Sequence, residues 1–172
     1  MIKEKHPKDS YVMMSELVLP NDTNTLGNLM GGRLMHWMDI AAAIAAQKHC
    51  NCPVVTASVD NVSFNNPIKL GNLLTIEAKL TRAFNTSMEV YLRVWGEDLA
   101  AQYKYLSNEA YFTFVALDPN SRPRKVPDLV PETEGERKIF DSALSRRQLR
   151  LILGGRMKAE DAGELRALFI KN

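Results

Sequence analysis

One carboxylate in an otherwise greasy stretch is the first residue whose type and setting point to chemistry. Between Leu34 and Ala46 only His36 and Asp39 are polar. The pattern predicts a helix that is apolar on all sides, with Asp39 inside. An uncompensated polar group in such a place costs roughly 2–7 kcal/mol, so it persists when neighbours satisfy it or when it does chemistry. A carboxylate there can take a proton from water or attack an electrophile directly. A polar, asparagine-rich loop beginning at Pro20 leads into Gly31 and Gly32, where this helix begins. The free N–H groups and the positive dipole end of a helix can polarise a carbonyl oxygen, and glycine lets a ligand approach the backbone.

Other reactive side chains carry weaker signals. His36 stands three residues before Asp39 on the same helix face, where a His–Asp dyad is conceivable. His49 near the helix end suits the negative pole of the dipole and reads as structural, and His6 lies in an N-terminal tail. Asn28 reads as a cap or loop brace. Cys50 and Cys52 form a lone C-x-C with no second pair. That is too little for a zinc site and too small a ring for an unstrained disulfide, so both read as reduced thiols.

The elements that must hold these residues follow from a change of hydrophobic period. Tyr11–Leu19 is a short β-rich run ended by Pro20. The helix is expected over about Gly32–His49, about 25 Å long at 1.5 Å per residue. Beyond it the period drops to two. Val54–Phe64 is strand-like and closes on Asn65-Asn66-Pro67 and Gly71. Leu74, Ile76, Ala78 and Leu80 alternate with polar residues, and Met88, Val90, Leu92 and Val94 do the same. This alternation predicts two antiparallel strands joined at Asn85-Thr86-Ser87. Gly96–Tyr105 reads as a looser connection and Leu106–Leu117 as a further strand. The outcome is an α+β domain over residues 11–130, preceded by a tail over 1–10. A proline-marked linker, Asp118–Pro131, leads to a C-terminal helical extension over 131–172, with helices at Glu132–Leu153 and Lys158–Ile170. One sheet encloses an all-round apolar helix only by curling around it or by receiving a second sheet, which favours a dimer.

Composition narrows the class. The 172 residues suit one sizeable domain, and 45% hydrophobic with 24% charged residues is ordinary for a soluble globular protein. No apolar run reaches the ~20 residues that span a bilayer, so no membrane partner is expected. The N-terminus lacks the apolar core of a signal peptide, which places the chain in the cytoplasm. Residues 1–119 carry ten Lys/Arg against twelve Asp/Glu, and residues 120–172 carry twelve against eight. A surplus so small and local does not suit nucleic acid; an anionic small ligand or another subunit fits it better.

The order of elements resembles the hotdog fold, a strongly bent antiparallel sheet wrapped around a long central helix. The local motifs sharpen this. P-N-D-T-N-x-x-G-N-x-x-G-G at 20–32, M-D at 38–39, V-T-A-S-V-D at 55–60, F-x-x-P-I at 64–68 and G-N-L-L at 71–74 are similar to the acyl-CoA thioesterases of that fold. Within them the likeness is to the branch of YciA-type enzymes and brain acyl-CoA hydrolase, and it covers about residues 10–130.

The resemblance implies hydrolysis of acyl-CoA, fatty acyl-CoA first, to free acid and coenzyme A. Coenzyme A is then part of substrate and product, with no metal and no other cofactor. It implies a catalytic pair of Asn24 and Asp39, met across a homodimer with two shared sites, and further assembly as a trimer of dimers. Asn24 can offer a carbonyl or an amide to water or substrate. Gly31 and Gly32 would position the thioester oxygen. The coenzyme is expected along the Val55–Phe64 strand at Ser58, with its phosphates near Arg82, Asn85, Thr86 and Ser87. Arg122, Arg124 and Lys125, or Arg146 and Arg147, are second candidates. Met13, Met14, Met30, Met35 and Met38 offer an adaptable apolar lining. Two other readings are a hotdog hydratase or dehydratase, which would need a histidine beside the acid, and a non-catalytic acyl-CoA-binding module.

Overall fold

Alternation of apolar and polar residues builds the sheet, and the long apolar helix gives it something to close on. The computed structural model describes residues 4–60 and 62–170. The chain divides after Val130 into two compact units. The first holds β1 (Val12–Leu17), α1 (Gly31–Cys50), β2 (Val54–Asp60), β3 (Leu73–Ala83), β4 (Ser87–Asp98) and β5 (Tyr103–Ala116). All five strands join one antiparallel sheet in the order β1-β3-β4-β5-β2, which leaves β1 and β2 as its edges.

Helix α1 touches every strand, so the sheet bends around it as the hotdog resemblance implies. Small residues let the helix sit close: Ala41, Ala42, Ala45 and Ala46 are fully buried beside Met38. The strands supply Leu74, Ile76, Val90, Leu92, Phe112 and Phe114, all at 2% exposure or less. Truncating a ring such as Phe112 to alanine removes about 3–5 kcal/mol of such packing.

The helix is not apolar-buried on all sides, as the sequence pattern predicts. Ile40 and Ile44 stay exposed, together with Val55 and Val59 of the edge strand β2. One five-stranded sheet cannot reach all the way round. The region 96–105 also departs from expectation. It forms the paired ends of β4 and β5, with Gly96 opposite Tyr105. A Cβ on Gly96 would stand 2.6 Å from the Tyr105 ring, so the ring fills the place of the missing side chain. Glycine breaks the alternation in the sequence, and its neighbour's aromatic ring repairs it in space.

The tail expected over residues 1–10 is built into the first unit from Glu4 onward; residues 1–3 lie outside the described residues. Lys5 forms a bridge with Leu129, Pro7–Ser10 make a 3-10 turn, and Ser10 is fully buried. The expected strand 54–64 ends at Asp60, and Asn61 lies outside the described residues.

The second unit holds α2 (Glu134–Leu153) and α3 (Gly163–Ile170). Thr133 caps α2 by accepting from Glu136 N–H at 3.2 Å, while the Glu136 carboxylate accepts from the Thr133 N–H, so the helix starts two residues later than expected. Among the described residues no helix is long and apolar enough to cross a membrane.

His49 is structural in a different way from the expected charge–dipole role. It is fully buried, and its Nε2 lies 2.8 Å from the Pro127 carbonyl oxygen. Burial holds its pKa below the ordinary 6.5, against the opposing pull of that carbonyl. Unfolded chain takes up a proton near the ordinary value and the folded chain resists it. Stability is therefore full above about pH 6.5 and falls as the pH drops toward the depressed folded value. The urea midpoint of the protein should fall between pH 7 and pH 5, and the fall should flatten in His49→Gln.

Candidate functional site

Asp39 sits at the margin of the helix stripe that the sheet leaves open. It is half-buried in one chain, between the fully buried Met38 and the exposed Ile40. This corrects the expectation of a deep interior position. The Thr56 hydroxyl on β2 donates to Asp39 Oδ1 at 2.7 Å, leaving the other carboxylate oxygen outside that bond. A β-bulge follows Thr56 on the strand. Thr56 pairs with Phe114 but Ser58 pairs with Thr113, so Ala57 is an extra residue. Paired residues share a face, which puts Thr56 on the inner face with buried Phe114 and turns Ser58 to the other. Ser58, expected beside the ligand, thus points away from the face that carries Thr56.

The loop before α1 is strapped at several points. Asp22 is buried; its carboxylate accepts from Leu19 N–H at 3.0 Å and from Arg33 Nε at 2.8 Å, and its backbone oxygen accepts from Met30 N–H at 2.9 Å. Gly27 takes φ +73°, and its carbonyl accepts from Leu70 N–H at 2.9 Å. Asn24 closes the tip. Its Oδ1 accepts from Leu26 N–H at 2.9 Å and from Asn28 N–H at 3.2 Å. Two N–H donors can meet only the oxygen, so the amide orientation is set and Nδ2 is turned outward. Asn28 is a brace, as expected: its carbonyl also accepts from Asn24 N–H at 2.8 Å.

At the helix start, the Met30 carbonyl accepts from both Arg33 and Leu34 N–H at 3.0 Å. Gly31 and Gly32 N–H find no acceptor among the described residues, which leaves two donors at the positive end of the dipole. Within one chain Asn24 and Asp39 do not bond to each other: Asn24 is engaged by its own loop and Asp39 by Thr56.

The residues expected near the phosphates converge at one end of the sheet. Asn85 and Thr86 form the β3–β4 turn, with Phe84 N–H donating to Ser87 O at 2.8 Å. The Asn85 carbonyl accepts from Val126 N–H, and the Thr86 carbonyl from Ala116 N–H. Ala116 O in turn accepts from Arg124 N–H at 2.9 Å. Arg82, the turn, Arg122, Arg124 and Lys125 therefore lie on adjoining segments. Arg146 and Arg147 belong to α2 of the second unit.

His36 is exposed and makes no bond to Asp39 among the described residues, so no dyad forms. The methionines do not share one lining: Met38 is core, while Met13 is 65% exposed. Both cysteines are free, and burial pushes the Cys50 thiol up to about 12, away from any nucleophilic role at neutral pH. Among the described residues no three His, Cys, Asp or Glu side chains gather to hold a metal. Thr56 is the residue the sequence reading passes over. Its signal is a hydroxyl on the strand after the acid, which becomes a partner through its pairing with Phe114 on the inner face.

Known proteins match this geometry. The thioesterase superfamily profile matches residues 26–101. YkhA of Bacillus subtilis, an uncharacterized acyl-CoA thioester hydrolase, is 40% identical over 139 residues, covering 81% of each chain. Mouse acyl-coenzyme A thioesterase 11 is 39% identical over 90% of this chain, which spans only 26% of that longer relative. A hexameric acyl-CoA thioesterase superposes with a TM-score of 0.86 at 37% identity, covering 89% of this chain and 98% of that one. The Staphylococcus aureus acyl-CoA hydrolase, solved with butyryl coenzyme A, coenzyme A and coenzyme A disulfide, superposes at 0.81 with 37% identity, covering 89% and 95%. That hydrolase has also been solved with an asparagine, an aspartate or a threonine changed to alanine. In it these three are successively 15 and 17 residues apart. Asn24, Asp39 and Thr56 have the same two spacings.

Proposed function

The chain belongs to the acyl-CoA thioester hydrolases of the thioesterase superfamily, and from that premise we propose that it hydrolyses acyl-CoA, fatty acyl-CoA foremost, to free acid and coenzyme A. The observation that carries this reading is the Thr56–Asp39 hydrogen bond of 2.7 Å on the uncovered face of α1. The bond occupies Oδ1 and orients the carboxylate. The second oxygen then takes the proton of a water molecule as that water attacks the thioester carbonyl, the C–S bond breaks, and the proton goes to the leaving thiolate. In the alternative route that oxygen attacks the carbonyl itself and the thiolate leaves a mixed anhydride; water then hydrolyses the anhydride to free acid, restores the carboxylate and supplies the thiolate's proton.

The donors come from one continuous segment. Asn24 offers its outward Nδ2–H, and Gly31 and Gly32 offer backbone N–H groups to the oxyanion. Asn24 of one chain meets Asp39 of a second in a homodimer closed over Ile40, Ile44 and Val59. Exposure of those three side chains supports this arrangement. Dimers associate further as a trimer of dimers. The nucleotide phosphates lie toward Arg82, Asn85, Thr86 and Ser87, with Arg122, Arg124 and Lys125 adjoining. The reaction so written draws on no metal or redox cofactor and no nucleic-acid or membrane partner, and it is assigned to the cytoplasm.

Four substitutions test the roles through thiol release from acyl-CoA. Asp39→Asn should lower kcat at least about 100-fold while substrate still binds. Mixing it with Asn24→Ala should restore part of the activity after subunit exchange, and no recovery would rule out a site shared between chains. Asn24→Asp keeps both acceptor bonds to the loop yet cannot donate. It should lose about 100-fold in kcat at an unchanged unfolding midpoint, whereas a water-accepting role would leave kcat high. Thr56→Val should lower kcat about tenfold with KM little changed, the signature of a misoriented base.

A further inference from the structure

The loop after β2 holds an aromatic ring over the very start of α1. Phe64 is 52% exposed, and a methyl group on Gly31 would come within 3.3 Å of its Cζ. The ring tip thus rests on the residue whose N–H faces the proposed oxyanion, and half of the ring is open to a ligand. A polar cleft of about 290 Å³ is lined by Ser63, Asn65 and Asn66 of this loop and by residues 106–109 of β5. Hydrogen bonds from β5 hold the loop on both sides of the ring. The buried Asn108 amide donates to the Ser63 carbonyl, and buried Ser107 Oγ donates to the Asn66 carbonyl at 2.7 Å. Asn66 Nδ2 reaches the Leu106 carbonyl at 3.0 Å, and Tyr105 OH the Pro67 carbonyl at 2.9 Å.

We propose that Phe64 is the wall against which the acyl chain lies, and that buried Asn108 is the positioning residue that sets the ring over Gly31. The inference rests on the acyl-CoA reading and names the part of the substrate that this side chain selects. An unbroken alkyl chain suits a half-open ring, and Met30 and Leu26, both exposed, stand on the same side of the helix start in sequence. The arm beyond the thioester sulfur carries amides that need polar partners, so the ring fits the acyl side.

The test is a panel of acyl-CoA from acetyl to palmitoyl, read as kcat/KM for each chain length. Phe64→Ala should lower kcat/KM for hexanoyl and longer chains about tenfold relative to acetyl, mostly through KM, and Phe64→Leu should recover part of that ratio. Asn108→Asp, which loses the donor to the Ser63 carbonyl, should shift the ratio the same way. It should add little in the Phe64→Ala background. If Asn108→Asp does not fold, Ser107→Ala takes its place in the same cycle. An unchanged chain-length ratio in Phe64→Ala overturns the wall. A ratio that moves with Phe64 but not with either β5 variant, or effects that add in full, overturns the positioning role. Wild type inactive on every member of the panel overturns the acyl-CoA reading and this inference with it.

Discussion

A helix wrapped by a single sheet must leave one stripe uncovered, and a carboxylate on that helix has to stand beside the stripe. That geometric limit governs the rest of this molecule. Five strands cover α1 down to 0% exposure at Met38 and Ala42, but Ile40 and Ile44 remain open. Asp39 falls on the border, where desolvation is partial and a ligand can still reach it. The residue before it, Met38, is sealed in the core, and the residue after it, Ile40, is exposed. The bulge at Ala57 belongs to the same solution, because it turns Ser58 away from the face that carries Thr56 and brings Val59 back to the inner face opposite Phe112.

The uncovered stripe also explains why the two halves of the proposed site lie apart within one chain. The donors sit on residues 24–32, in the loop and the first residues of the helix, and the base lies two turns further along it. No bend of the backbone brings them together, since the loop is strapped to Ile68 and Leu70 on one side and to Asp22 on the other. A second copy that covers Ile40 and Ile44 removes apolar area from water, at about 25 cal/mol per Å². Under the proposed function the same act completes the catalytic set. Burial and chemistry then have one cause.

Much of this was legible in the residues. Alternation marks the strands because inner-face residues such as Leu74, Ile76 and Val90 face one core, and Asp39 stands out because only His36 shares its apolar stretch. Three features were hidden. Gly96 masked the β4–β5 pairing, since the ring of Tyr105 that replaces its side chain is nine residues away. The bulge depends on a register that strand composition does not encode, so Ser58 rather than Thr56 drew attention. The ordering of residues 4–10 depends on Leu129 and Val130, which no local pattern links to Lys5 and His6.

Asn24 marks how a loop residue can serve structure and chemistry without conflict. An amide carries two unlike ends, and here the oxygen is consumed by two N–H groups of its own turn. The aspartate that shares its shape would brace the turn equally well but present no hydrogen to a ligand. A turn residue chosen for bracing alone has no need of the amide nitrogen, because aspartate and asparagine are both good at this position. The nitrogen is therefore the part of the side chain that the fold does not use. It projects from a loop fastened at both ends, beside a helix start with two further free donors. Under the proposed function, donors already held by the fold lose little on meeting a developing negative charge, which is the condition that makes such groups effective in a transition state.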